Sequence, residues 1–177
     1  MAANPSASAQ TRPRVTVCVD VDDNAELIRA VHRRFVPTRG HLVLTVVPKA
    51  GAVEDLIRGM LVGLHVLWRL PARLRSGRVP LAGEDRAIAE WEISWALTRV
   101  GITSLWVLDA DHANLFAWRW LRDTAEREDL RLILHTTTGP DAWQAAALAG
   151  CRVRTLSPER LLGQGRSRAG TDRRFRG

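Results

Sequence analysis

A chain of 177 residues, 46% of them apolar and 25% charged, is long enough to bury a core without disulfides or a structural metal, and this composition excludes a chain that is disordered throughout. The net charge of +7 is compatible with attraction to nucleic acid or to anionic lipid. The two cysteines, Cys18 and Cys151, lack the spaced Cys and His partners of a zinc site or a redox pair, which indicates buried free thiols.

The two ends of the chain differ in composition from the middle. Residues 1–13 are rich in Ala, Ser and Pro without hydrophobic periodicity, which predicts a disordered leader. Residues 14–162 are predicted to form a single α/β domain. Residues 163–177 predict a basic, disordered tail that could neutralise phosphates or an anionic surface. The arginines of this tail are Arg166, Arg168, Arg173, Arg174 and Arg176.

Strand and helix patterns alternate along the domain. The predicted elements are, in chain order, a strand over 15–21, a helix over about 23–35, a strand over 41–47, a helix over 52–70, a connecting loop over 70–83, a helix over 84–99, a strand over 104–108, a helix over 114–128, a strand over 131–135, a helix over 141–149 and a strand over 152–155. This alternation predicts an α/β fold, with a mostly parallel sheet of about five strands and helices on both faces.

Most of the tryptophans fall at helix positions that we expect to face the sheet. These are Trp68, Trp91, Trp95, Trp118 and Trp143. The sequence contains neither an uncharged run long enough to span a membrane nor, at its start, the basic and apolar regions of a signal peptide. We therefore expect a cytoplasmic protein, and peripheral contact with a membrane stays open.

Polar residues follow several of the predicted strands. In an open α/β sheet, ligands bind beyond the carboxyl ends of the strands, so these segments are expected to line one crevice. They are Asp20–Asp23, Pro48–Gly51, Asp109–His112 and Thr136–Thr138.

From Gly40 onward, the order of elements resembles P-loop ATPases of the AAA type, particularly those associated with transposition and plasmids. The segment Leu105–His112, LWVLDADH, is similar to the Walker B segment of those families, and the strand ending in Thr136 and Thr137 is similar to their sensor strand. The resemblance covers roughly residues 40–156. It implies a P-loop-NTPase-like fold, with ATP and Mg²⁺ as the cofactors of a working member.

The segment at the place of the phosphate loop departs from the motif G-x-x-x-x-G-K-[ST]. That motif works because glycines let backbone N–H groups approach the phosphates and because its lysine bridges them. Here the matching residues are Pro48–Glu54, in which Lys49 is displaced and Gly51 is the one glycine. The acidic pair at the start of the next helix, Glu54 and Asp55, would repel a phosphate.

The Walker B-like segment departs from the family in a second way. The resemblance assigns Asp109 to the Mg²⁺ site, but Ala110 stands where such families place the glutamate that activates water. Asp111 is nearby and shifted to the other side of the chain. The candidate catalytic residues are thus Asp109 and Asp111, while Lys49, Gly51, Thr136 and Thr137 form a vestigial nucleotide site, so we expect no hydrolysis by the usual mechanism.

The acidic residues after the strands also have simpler interpretations, as helix caps or as ligands of a cation. Asp111 or Asn114 is suited to cap the helix that begins near Asn114. The Asp20–Asp23 cluster is suited either to capping or to binding a hard cation for phosphotransfer. His112 has no Cys or His partner set that would make it a metal ligand.

The size, the arginine bias and the decayed ATPase pattern also resemble, more loosely, the Kil and spread accessory proteins of actinobacterial conjugative plasmids. The leading hypothesis is a non-catalytic P-loop-like accessory protein of plasmid or mobile-element DNA transfer or spread, which contacts a protein of that machinery and weakly contacts DNA or a membrane surface. The rival is an atypical Mg²⁺-dependent nucleotide-binding enzyme, an ATPase or a phosphotransferase. A third hypothesis is a structural subunit recognised through exposed tryptophans such as Trp118 or Trp120.

Overall fold

The fold is built on one sheet of five parallel strands. A computed structural model describes residues 14–23, 25–35, 39–75, 80–158 and 160. The strands are β1 (Arg14–Val19), β2 (His41–Thr45), β3 (Ser104–Leu108), β4 (Arg131–Thr136) and β5 (Arg152–Leu156), and their order across the sheet is β2-β3-β4-β1-β5. Every neighbouring pair is parallel. The α/β fold with a parallel sheet is therefore confirmed.

Helices connect the strands, as a parallel sheet requires. They are α1 (Ala25–Arg34), α2 (Val53–Gly63), α3 (Ala72–Arg75), α4 (Gly83–Val100), α5 (Leu115–Arg127) and α6 (Ala142–Ala147), with short 3₁₀ helices at Leu67–Arg69 and Ala110–His112. Among the described residues, no helix is both long enough and apolar enough to cross a membrane. The predicted leader, 1–13, and the predicted tail, 163–177, lie outside the described residues.

The two faces of the sheet are covered unequally. One face packs against α2, α4, α5 and α6 in a large core, in which Ile57, Met60 and Trp118 are completely buried. Of the described helices, α1 packs on the other face, in a small core around Val31, Trp106 and Ile133. Because side chains alternate along a strand, odd-numbered residues of β1 point into the large core and even-numbered residues point to the α1 face.

The second predicted helix is shorter than the hydrophobic pattern indicates. We expected it to reach about Leu70, but α2 ends at Gly63 and His65 takes a left-handed backbone conformation with φ of 56°. The apolar run continues through Leu64, Val66 and Leu70, which are buried in the large core without helical geometry. These buried residues continue the apolar spacing of the helix, so the sequence pattern predicts a helix longer than the one that the backbone forms. The segment predicted as a connecting loop contains the short helix α3.

The tryptophans divide between core and surface. Trp118 is fully buried and Trp95 and Trp143 pack against the large core, as expected. Trp68 and Trp91 are 69% and 60% exposed, so their predicted placement against the sheet is wrong. The two indoles proposed as exposed recognition residues, Trp118 and Trp120, are instead buried. Trp120 donates its ring N–H to Glu90 at 2.8 Å, which explains how its polar end is accommodated.

Both cysteines are free thiols, as predicted: Cys18 is buried and Cys151 is half-buried. Burial raises the pKa of the Cys151 thiol; the positive charge of Arg122 opposes this shift, and Glu126 and Asp123 add to it, so the protonated and less reactive form of the thiol is favoured.

His41 lies at the start of β2, where the protein disfavours its charged form. Its ring nitrogen Nδ1 lies 2.7 Å from the hydroxyl of Ser104, and its pKa is lowered by burial first and then by the positive charges of Arg131, Arg34 and Arg39. The unfolded chain therefore binds a proton at this position more readily than the folded chain does.

We expect the free energy of unfolding to fall as the pH drops below the ordinary histidine pKa of 6.5, because protonation of His41 favours the unfolded chain. The variant His41→Gln should lose stability less steeply between about pH 6.5 and 5 in urea unfolding experiments. The matched control, His112→Gln, removes an exposed histidine elsewhere in the fold and separates the effect of position 41 from the loss of an imidazole as such. A His41→Gln slope equal to the wild-type slope would contradict the assignment.

Candidate functional site

The topology places a crevice at the carboxyl ends of β1 and β4. These two strands are neighbours, yet the helix that follows β1 packs on the small core and the helix that follows β4 packs on the large core. The chain therefore leaves the sheet in opposite directions at this point, and such a point is the position at which α/β proteins commonly bind ligands. The residues at this point are Asp20, directly after β1, and His135 and Thr136, at the end of β4.

A buried histidine joins the ends of three strands. The His135 nitrogen Nε2 lies 3.3 Å from Asp20 Oδ2, and Nδ1 lies 3.4 Å from Asp109 Oδ1. The side chains of His135 and Asp20 are 3% and 5% exposed, and that of Asp109 is 26% exposed. β4 lies between β1 and β3, so the imidazole on the central strand reaches a carboxylate on either side.

The backbone N–H of Asp109 lies in line to donate to Nδ1 at 3.3 Å, and Nε2 lies within hydrogen-bond distance of the Asp20 carboxylate. A proton on Nε2 satisfies both of these contacts, whereas the approach of Nδ1 to the Asp109 carboxylate is attractive when Nδ1 carries a proton. Both ring nitrogens are then engaged within the protein. His135 is consequently a positioning group that ties Asp20 and Asp109 to the sheet, and Asp109 is the member of this set whose carboxylate reaches the surface.

Asp109 begins a tight turn that the large core holds in place. Its backbone is left-handed, with φ of 54°, and the next residue, Ala110, is completely buried. The indole N–H of Trp118 donates to the carbonyl of Ala110 at 3.0 Å. A glutamate in place of Ala110 would have to enter the core, so this position does not provide a water-activating carboxylate.

The side chains of Asp111 and Asn114 make different hydrogen bonds. Oδ2 of Asp111 accepts hydrogen bonds from the backbone N–H of Thr137 at 2.6 Å and from its hydroxyl at 2.8 Å. Asp111 thus joins the turn after β3 to the loop after β4. Asn114 is the N-cap of α5, because its side-chain oxygen accepts from the N–H of Ala117 at 2.9 Å, which confirms the capping interpretation for Asn114.

Two polar side-chain atoms at this edge are buried without a hydrogen-bond partner in the described part of the chain. They are Oδ1 of Asp111 and the hydroxyl of Thr136. Thr136 points into the large core, on the opposite side of β4 from His135, so it does not face the Asp20–His135–Asp109 set.

The loop after β2, where the sequence places the phosphate-loop remnant, packs against the turn after β3. A Cβ atom added to Gly51 would lie 1.9 Å from the carbonyl oxygen of His112, and the Gly51 carbonyl accepts from the N–H of Asn114 at 3.0 Å. The N–H of Ala50 donates to the Val47 carbonyl. Protein atoms therefore occupy the space beside Gly51, where a phosphate loop would leave room for its ligand.

The residues flanking Gly51 complete this arrangement. Ala52 donates its backbone N–H to Asp55 Oδ2 at 3.1 Å, so the start of α2 is closed by its own carboxylate. Lys49 is exposed in a left-handed conformation, with φ of 72°. None of the described hydrogen bonds or ion pairs joins Lys49 to Asp109 or Asp111. The structure thus brings Gly51 to the turn after β3, and Asp111 to Thr137.

We expect Gly51→Ala to lower the free energy of unfolding by about 2–3 kcal/mol, because the new methyl group meets a backbone carbonyl that cannot move aside. The control is Gly59→Ala, in the interior of α2, where the nearest atom to a new Cβ is a Leu44 methyl at 3.6 Å. There the gain in helix propensity should stabilise the protein by about 0.5–1 kcal/mol. Urea unfolding would measure both, and a stable Gly51→Ala protein would contradict the close packing.

The acids after β1 do not converge on one point. Asp20 is buried, whereas Asp22 and Asp23 are exposed in the turn that follows, in which the N–H of Asp23 donates to the Asp20 carbonyl at 3.1 Å. Within the described ranges, no group of three or more His, Cys, Asp or Glu side chains is arranged to hold a metal ion. The tail arginines, Arg166 to Arg176, lie outside the described residues.

Sequence reasoning missed His135. It attended to His112, which is exposed, and to Thr136 and Thr137. The available signal was a histidine near the end of an otherwise apolar strand, RLILHT, next to the segments that follow β1 and β3.

Comparison with protein-family models finds no match to this chain, and a search of characterised protein sequences finds no significant match. Function is therefore argued from the site itself.

Proposed function

We propose that this chain is a non-catalytic, P-loop-like accessory protein of plasmid or mobile-element DNA transfer or spread, which acts through contacts with a protein of that machinery and through weak contacts with DNA or a membrane surface. The observation that carries the non-catalytic part is the packing of Gly51 against His112, because it fills the position at which the resemblance places the nucleotide phosphates.

A second possible position for phosphates leads to the same proposal. The crevice between β1 and β4 is where the topology favours a ligand, and the chain there presents Asp20, Asp22 and Asp23. A phosphate loop offers converging backbone N–H groups and a lysine, whereas carboxylates repel a phosphate unless a cation lies between them. Both positions therefore disfavour a bound nucleoside triphosphate.

The protein-contact part of the proposal draws on two exposed indoles. Trp68 and Trp91 are 69% and 60% exposed, and Trp68 lines an open apolar depression with Val62, His65 and Arg75. Tryptophan and arginine are enriched at the centres of protein interfaces. These two indoles take the place of Trp118 and Trp120 as candidate recognition residues.

Calorimetric titration with ATP and Mg²⁺ tests the non-catalytic proposal. We expect no binding heat for the wild-type protein at micromolar concentrations. The rival, an atypical Mg²⁺-dependent ATPase or phosphotransferase, predicts micromolar binding that disappears in Asp109→Ala, since Asp109 has the one surface-reaching carboxylate of the Asp20–His135–Asp109 set. That result would overturn the proposal. The control Asp129→Ala changes an acid in the turn after α5, away from the crevice, and should behave as the wild type under either hypothesis.

A further inference from the structure

Three arginines stand side by side at the amino end of the sheet. Arg14 is in register with Arg152 on β5, and the register of Val15 with Leu132 places Arg14 beside Arg131 on β4. Each is the first residue of its strand. Arg154, two residues further along β5, stands beside Thr16. We call Arg14, Arg131, Arg152 and Arg154 the arginine row.

All four side chains of the arginine row project from the face that α1 covers. Side chains alternate along each strand, and Cys18, Ile133 and Leu156 of the same three strands pack in the small core. The small core beneath α1 contains Cys18, Ile133 and Leu156 of these strands, while the four arginines are exposed. The row therefore forms a basic strip on the thinly covered side of the sheet, at the opposite end from Asp20 and Asp109.

The arrangement brings positive charges together at neighbouring strand positions. None of the described ion pairs involves Arg14, Arg152 or Arg154. Like charges directly opposite each other on neighbouring strands destabilise a sheet. The positive charge of Arg131 also acts on His41, which lies on the edge strand β2. It is the second cause, behind burial, of the lowered pKa of His41. A polyanion laid on this strip would relieve the repulsion.

We propose that the arginine row binds the phosphate backbone of DNA without reading its sequence. The inference deepens the DNA contact of the proposed function and rests on it for the choice of polyanion. It assigns that contact to the folded sheet, in addition to the predicted basic tail. Arginine side chains on strands about 4.8 Å apart form a continuous row of donors, which suits a backbone of regularly spaced phosphates.

The surroundings of the row favour DNA over a lipid surface. Stable peripheral binding to a membrane combines basic residues with apolar side chains that enter the bilayer. The exposed large apolar side chains of the described residues lie elsewhere, and Val153, the one on β5, points to the other face of the sheet. In the described part of the chain, the arginine row therefore has no exposed large apolar side chain beside it to enter a bilayer. It is better suited to the phosphates of DNA, which remain in water.

The test measures binding of the full chain to a random-sequence DNA duplex of about 30 base pairs by fluorescence anisotropy across a salt series. The test variant is the triple substitution Arg14→Gln, Arg131→Gln and Arg152→Gln. The control is Arg99→Gln, Arg119→Gln and Arg127→Gln, which removes the same charge from exposed positions on α4 and α5, over the other face. Equal net charge in the two triples separates a local contact from general attraction.

We expect the test triple to bind at least about tenfold more weakly at 50 mM salt, and its log–log salt slope to be shallower by about 2–3, one phosphate contact being lost with each arginine. The control triple should change both quantities much less. The double variant Arg14→Gln, Arg152→Gln guards against a folding defect, because relief of like-charge repulsion should leave its Tm unchanged or raised.

Three results would overturn the assignment. Equal losses of DNA affinity in the two triple variants would show that the arginine row contributes only through the net charge of the protein. DNA binding itself would not be contradicted by that result. No binding by the wild type at low salt would remove DNA as a direct partner altogether. Binding to vesicles of anionic phospholipid without binding to the duplex would make the row a membrane contact.

Discussion

Replacing Trp118 by alanine is expected to lower the free energy of unfolding by about 3–5 kcal/mol. Trp118 is fully buried on α5, where its ring lies edge-on to Trp143 at 5.9 Å between centroids. Its indole N–H also supplies the hydrogen bond to the Ala110 carbonyl. The substitution would leave a large cavity and an unpaired carbonyl in the turn that begins at Asp109. The loss is comparable with the whole stability of an ordinary domain, about 5–15 kcal/mol.

Urea unfolding followed by circular dichroism measures this effect, with Trp91→Ala as the matched control. Trp91 is 60% exposed on α4, and its removal should change the free energy of unfolding by no more than about 0.5 kcal/mol. Similar losses for the two variants would mean that the two indoles are not divided between core and surface as described.

The second large effect is expected for His135→Ala, at about 3–5 kcal/mol. The ring fills the space between Asp20 and Asp109, and its removal leaves two carboxylates facing each other across the end of β4 without the group that separates them. Desolvated carboxylates that lose a polar partner are costly in a protein interior. The ends of β1 and β3 should loosen together.

His112→Ala is the control for this prediction, because His112 is exposed and lies in the neighbouring turn. Its effect on the free energy of unfolding should be within about 0.5 kcal/mol. Hydrogen exchange adds a spatial test: the amide of Asp109, which donates to His135 Nδ1, should lose protection in His135→Ala. A His135→Ala protein as stable as His112→Ala would show that the ring does not join the three strands.

The order and type of the main elements follow from hydrophobic patterning. Each of the five strands lies within or close to its predicted run, since each run is short, apolar and bounded by polar or Gly-containing turns. The boundaries are less predictable. Leu64, Val66 and Leu70 are buried but lie beyond the end of α2 at Gly63, and β2 ends at Thr45, before the exposed Val47. Hydrophobicity reports burial, and only the backbone geometry decides which buried residues are helical.

The candidate site was predicted in part. The sequence indicates that polar residues follow the strands and that parallel strands bring them to one edge, and Asp20 and Asp109 do meet there through His135. Strand order is not written in local patterns, so the neighbour relation of β1 and β4 and the resulting crevice could not be read from the sequence. The arginine row was missed for the same reason, because its residues are distant along the chain and adjacent only through β-strand register.

The position of β1 in the sheet has a consequence for how the chain is made. Its residue Val15 pairs with Leu132 on one side and Val153 on the other, so both neighbours of β1 come more than a hundred residues later in the chain. β2 and β3 can pair earlier, whereas β1 must wait while more than a hundred further residues are synthesised, at about 5–20 residues per second. Such distant pairing is slow and exposes strand edges. Completion of the sheet thus waits for the synthesis of β4 and β5, and a chain stopped before β4 would hold β1 without either of its neighbours in the described sheet.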